Sequence, residues 1–180
     1  MRFVALFRGI NVGKAKRIAM ADLRNLLGKL GYRDVQTLLN SGNAVFTGDA
    51  GVASAHARRI RSAVIQKMGI DALVIVKSAR DIAGIMAGNT LQKVATDPAR
   101  LLVAMTQDAR AMATIASLAN ADWGSERVHL GKHAAYLWCP NGILESRLAV
   151  TLLKQLDEAG TTRNWATLGK VHAIMTGDGR

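Results

Sequence analysis

Three polar segments of this 180-residue chain carry side chains suited to gripping an anion. The first is Arg8-Gly9-Ile10-Asn11-Val12-Gly13-Lys14. Its glycines let backbone N–H groups turn toward a negative group, and Arg8 and Lys14 add charge. It is not a Walker loop. Gly9 and Gly13 are one residue too close together for that pattern, and Ala15 stands where a hydroxyl should hold magnesium. A looser anion-binding loop and a plain turn both remain open for it. The second segment is Asn40-Ser41-Gly42-Asn43, whose composition marks a hairpin turn. The third is Thr161-Thr162-Arg163-Asn164-Trp165. Thr162 is expected to cap a following helix, placing Arg163 and Asn164 on its first turn. A helix dipole disfavours a cation there, so Arg163 should reach a neighbouring carboxylate or a bound anion.

If the three segments converge, they form a site for a small anionic ligand. A nucleotide or a phosphorylated metabolite is the natural candidate. Its residues would be Arg8, Asn11, Gly13, Lys14, Ser41, Asn43, Thr162, Arg163 and Asn164. The two arginines would hold oxyanions and the asparagines would orient polar groups.

Charge offers an alternative. The chain carries a net +11, and the excess is uneven. Residues 1–80 hold 14 Lys/Arg against 4 Asp/Glu, a net +10, whereas residues 81–180 hold 10 against 9. Such a half attracts anions of any size, or serves as a solvated face. A nucleic-acid backbone would meet Lys14, Lys16, Arg17, Arg58, Arg59 and Arg61. Base stacking on a sheet is poorly supported, because aromatics make up only 4% of residues and the third strand offers Phe46 alone. A protein–protein interaction module is a further alternative.

Other chemistry is disfavoured. Cys139 is the lone cysteine, so no intramolecular disulfide or cysteine-based zinc site is expected. A reduced, cytoplasmic setting fits it. Neither Ser41 nor Cys139 has a base assignable nearby in sequence. His56 falls on an apolar helical stripe, and His129 and His133 flank a hairpin turn on opposite sheet faces. Neither a metal nor a cofactor is expected. No apolar run is long enough to span a bilayer, so no membrane partner is expected. The oligomeric state is left unassigned.

The elements that must position these residues follow from periodicity. A strand covers 2–7, a helix 19–30, and two short strands 35–39 and 44–47 flank the turn at 40–43. A helix at 52–68 and a strand at 72–76 complete a β-α-β-β-α-β order, which is ferredoxin-like. The second half begins with a helix from Ser78 to about Gly88. A strand at 101–105 and a helix face of Ala109, Met112, Ile115 and Ala116 follow. Strands at 126–130 and 133–139 flank a two-residue turn, Gly131-Lys132. A helix striped by Leu144, Leu148, Leu152 and Leu156 ends at Gly160, and a last helix carries Trp165, Leu168, Val171 and Met175. The expectation is an α+β fold of two ferredoxin-like subdomains in tandem. The basic one covers 1–77. The modified one, βαββα plus a C-terminal helix, covers 78–180.

Several of these residues also resemble a known family. They are Leu6-Phe7-Arg8-Gly9-Ile10-Asn11-Val12-Gly13, Met20, Leu23, Val35-Gln36-Thr37, Ser41-Gly42-Asn43-Ala44-Val45-Phe46 and Thr162-Arg163-Asn164-Trp165. In order and spacing they resemble the bacterial "domain of unknown function 1697" proteins across nearly the whole chain. The resemblance implies two ferredoxin-like subdomains and no assigned activity. The chain departs from the family pattern at Lys14, where a second glycine is common, and at Leu38-Leu39-Asn40. It also departs at Asn89-Thr90, where a proline and an aromatic residue are typical.

Overall fold

The opening run has no polar alternation, and β1 (Arg2–Phe7) is buried on both faces from Phe3 to Phe7. That pattern belongs to a central strand. The computed structural model describes residues 1–177, with the side chain of Ala109 outside that description. Within it β1 pairs antiparallel with β3 (Asn43–Thr47) on one side and β4 (Val74–Ser78) on the other. The edge strand β2 (Arg33–Leu38) pairs with β3, so the sheet order is β2-β3-β1-β4. The helices α1 (Met20–Lys29) and α2 (Ala53–Met68) lay their apolar stripes on this sheet. Leu23, Leu27, Ile60 and Val64 meet Phe3, Phe7 and Phe46 in one core. Gly69 stops α2 with φ 67°, and its N–H donates to Ile65 O at 2.9 Å.

After α3 (Ala79–Ala87), the second sheet repeats the arrangement. β5 (Leu101–Thr106) lies between β7 (Ala135–Trp138) and β8 (Gly160–Asn164), with β6 (Arg127–Leu130) outside β7. The order is β6-β7-β5-β8, all antiparallel. Here α4 (Ala109–Ala113) and α5 (Arg147–Leu156) accompany the sheet, and α6 (Trp165–Thr176) closes the chain. Among the described residues the molecule is thus a mixed α/β protein with two four-stranded antiparallel sheets and six helices.

The chain forms two compact units, 1–80 with 171–177, and 81–170. The C-terminal half of α6 therefore groups with the first unit, not the second as the sequence order suggested. Its anchor is Arg2, which donates from Nη1 to Ile174 O at 2.5 Å and to Met175 O at 3.3 Å. A cation there satisfies carbonyls at a helix C-terminus.

The structure departs from three expectations. The segment before α6 is a strand, since Thr161 to Asn164 pair with Met105 to Leu102 in β8. Gly160 both ends the 3-10 turn Asp157–Ala159 that follows α5 and opens that strand; a Cβ on it would lie 2.8 Å from Leu156 Cδ1 and 3.1 Å from Met105 O. Leu144 is 93% exposed and precedes α5, whose cap is Ser146, the acceptor for Ala149 N–H at 2.9 Å. The β6–β7 turn is the four residues 131–134, because the ladder ends at the Leu130–Ala135 pair, and Gly131 N–H donates to Ala134 O across its tip. His133 therefore sits in the turn, and His129 stacks on its register partner Tyr136 at 5.8 Å.

Candidate functional site

In the loop between β1 and α1 the Asn11 side chain makes three hydrogen bonds. Asn11 donates from Nδ2 to Ile18 O at 2.8 Å and to Asn40 O at 2.7 Å, and its Oδ1 accepts from Ile18 N–H at 2.8 Å. Its own N–H donates to Lys16 O at 3.0 Å. Asn11 adopts φ 57°, a left-handed conformation that asparagine tolerates better than most residues. The sequence reading assigned Asn11 to a ligand; the structure gives its amide to the loop and to the hairpin turn.

That turn is Leu39 to Gly42, one residue earlier than its composition suggests, and Asn43 belongs to β3. Asn43 is fully buried and donates from Nδ2 to Leu38 O at 2.9 Å and to Ser41 Oγ at 3.1 Å. Ser41 is exposed. Gly42 is required sterically: at φ 80° a Cβ would lie 2.5 Å from Ile10 Cδ1 and 2.8 Å from Phe7 Cβ. Its carbonyl accepts from Phe7 N–H at 2.9 Å. The first two polar segments thus interlock.

Where they interlock, the chain leaves a cleft of about 360 Å³ lined by Asn11, Arg17, Asn40 and the residues 18–20 that lead into α1. Arg17 is exposed at its edge. No side chain caps α1, whose N-cap is Ala19. The first N–H groups of a helix lack intrahelical partners and carry partial positive charge. The acid of this first turn, Asp22, lines a different groove. Together these features suit a small oxyanion.

The other expected site residues fall elsewhere. Gly13 and Lys14 are exposed on the loop, outside the cleft lining. Arg8 is half-buried, and its N–H donates to Leu73 O at 2.9 Å. Thr162, Arg163 and Asn164 lie in β8 of the second unit. Thr162 is not the cap of α6; Asn164 is, with Oδ1 accepting from Thr167 N–H at 2.9 Å. Arg163 is buried in its strand and donates from Nη1 to Thr161 Oγ1 at 3.1 Å and Thr162 O at 2.7 Å. Burial pulls its guanidinium down to about 10.

Arg17 lines the cleft although the polar segment that suggests a ligand ends at Lys14. Its position just ahead of the helix start was the available signal.

Of the basic residues considered for nucleic acid, Lys14, Lys16, Arg17, Arg58 and Arg59 are exposed. Arg61 is half-buried and engages Asp71 at 2.6 Å from Nε and 2.9 Å from Nη2. That hydrogen-bonded guanidinium, more than any other cause, lowers the Asp71 carboxyl below its ordinary range, and Lys16 adds to the effect. Arg59 lies over the Tyr32 ring at 5.5 Å. His56 is buried among Phe3, Tyr32 and Phe46, and its Nδ1 is 2.9 Å from Tyr32 Oη. Cys139 is buried in the second core, and burial raises its thiol. Among the described residues, no helix is long and apolar enough to cross a membrane.

Comparison with known proteins adds a family and a fold. The model of a family described as a protein of unknown function, DUF1697, matches residues 1–136. A similar solved structure is that of the conserved bacterial protein SP0830 from Streptococcus pneumoniae. It is 24% identical, with a TM-score of 0.79 over 97% of this chain and 98% of that one. No curated protein matches the chain.

Proposed function

The chain belongs to the DUF1697 family of proteins of unknown function, and on that footing we propose that it binds a small anionic ligand, a nucleotide or phosphorylated metabolite, in the cleft ahead of α1. The observation that carries this reading is the meeting of Arg17 with an uncapped helix start beside the Asn11–Asn40 lock. Backbone N–H groups there would take oxyanion oxygens, and the guanidinium would add charge-assisted bonds. Lys14 and Lys16, exposed on the same loop, raise the local anion concentration. We also read both units as ferredoxin-like. The β-α-β-β-α-β order and the matching strand orders β2-β3-β1-β4 and β6-β7-β5-β8 support that reading. A cytoplasmic setting is consistent with a single buried thiol.

A thermal-shift screen against phosphorylated sugars and nucleotides tests the ligand. A binder at ~100 times its dissociation constant adds about 2.7 kcal/mol, or roughly 5–10 °C in a chain of this size. Arg17→Ala should remove most of that shift while leaving the unliganded melting temperature unchanged. A library that produces no shift, or a shift unaffected by Arg17→Ala, contradicts the proposal.

One observation favours a second reading. Lys14, Lys16 and Arg17 stand exposed within one short loop of a half that carries +10. A nucleic-acid backbone docking there would lose affinity steeply with salt, by about one log unit per log of salt for each phosphate neutralised. A shallow slope favours the small ligand.

A further inference from the structure

A second concavity, of about 620 Å³, runs between α1 and α2, apart from the cleft just described. Its floor is apolar: Leu26 from α1 and Leu30 at its C-cap, Ala63 and Met68 from α2. Ala63 is the shortest of these side chains, which leaves space above the two leucines unfilled. The rim is polar and exposed. Lys29 stands in the last turn of α1 and Lys67 in the last turn of α2, with Asn25 and Gln66 beside them. Among the described residues the single acid on the lining is Asp22, in the first turn of α1, where the helix dipole favours it. The groove follows one stripe of α1, because residues 22, 25, 26, 29 and 30 recur at the spacing of a helix face.

We infer that this groove docks an acidic amphipathic helix of a partner protein. Two features point to that occupant. The apolar floor flanked by polar rims matches the face of an amphipathic helix, and the unbranched Met68 can adapt to its side chains. The rim lysines, in a half carrying +10, are complementary to carboxylates. A nucleic acid has nothing to place on the leucines. The partner's apolar side chains enter over Leu26 and Leu30, and its carboxylates meet Lys29 and Lys67.

The test uses the full chain and a fluorescent helical peptide of roughly 14 residues, with Leu at i, i+3, i+4 and i+7 and Glu between them. A control peptide carries Lys in place of Glu. Anisotropy should show saturable binding of the Glu peptide and at least about 10-fold weaker binding of the Lys peptide. Ala63→Met, which fills the groove, and the pair Lys29→Glu with Lys67→Glu should each weaken the Glu peptide by a similar factor. Neither change should alter ligand shifts at the cleft, so this inference and the anion proposal fail separately. If Ala63→Met does not fold by circular dichroism, the lysine pair decides. Three outcomes overturn the inference: no saturable binding, equal affinity for both peptides, or variants that bind as the wild type. Full displacement of the peptide by decanoate would make the groove a small-molecule site. A concentration-dependent dimer abolished by Ala63→Met would make a second copy the occupant. Both also overturn it.

Discussion

Asn11 and Gly42 together determine whether the cleft has a shape at all. Asn11 ties the loop to itself through two side-chain hydrogen bonds with Ile18 and to the hairpin through a third, to Asn40 O. Asn11→Ala leaves the Ile18 N–H and two carbonyls without that partner, and should cost about 1–3 kcal/mol in chemical denaturation and abolish ligand shifts. Gly42→Ala adds a methyl 2.5 Å from Ile10 Cδ1 at a positive φ. It should cost more than the ~1 kcal/mol that a strain-free Gly→Ala change gains, with opposite sign. The side chain with the clearest pH signature is Tyr136. Burial pushes it up to about 12, and its Oη donates to Ile85 O at 2.6 Å. Its neutral form belongs to the folded state. The stability it contributes is therefore full below the unfolded value near ~10 and is lost as pH rises toward the folded value, by at most ~1.4 kcal/mol per pH unit. Denaturation of Tyr136→Phe between those limits should show a flatter pH dependence than wild type. Asp71 acts at the other end: its depressed carboxyl contributes above its unfolded value, and that contribution fades on acidification. The polar types at 8–14 and 40–43 pointed to this end of the sheet. They did not reveal that Asn11 and Asn43 serve the backbone, because an asparagine that locks a loop and one that meets a ligand look alike in a sequence.

At the scale of elements, the helices were legible and one strand was not. Leu23, Leu26 and Leu27 on α1, and Ile60 and Val64 on α2, recur at helical spacing and are buried as that spacing requires. β8 reads Gly-Thr-Thr-Arg-Asn, without apolar alternation, and lies at a sheet edge where only β5 pairs with it. An edge strand needs fewer apolar positions, so its pattern fades into that of a capped loop. The cap therefore shifted by two residues. Asn164→Ala should cost about 1 kcal/mol through the loss of the α6 cap, and Thr162→Ala should not lose a cap at all. Comparing the two melting temperatures checks which residue begins the helix. The β6–β7 turn differs for a related reason: Gly131-Lys132 is a turn signal, yet the ladder stops at the Leu130–Ala135 pair, so the tip is Lys132-His133 and His133 leaves the strand.

Across the whole molecule, the β-α-β-β-α-β order of the first half and the charge asymmetry could both be read from the chain, because order and charge run along it. The grouping of 171–177 with the first unit could not, since it involves contacts far apart in sequence, such as Arg2 with Ile174, 172 residues away. The cleft likewise depends on Asn11 meeting Asn40, 29 residues later. The most direct test of the central claim is a backbone amide NMR titration of the full chain with inorganic phosphate at moderate salt. The account predicts saturable shifts confined to the amides of residues 17–22 and 40, and absent in Arg17→Ala. Shifts spread over Lys14, Arg58 and Arg59 alike, or none at residues 18–21, would contradict it.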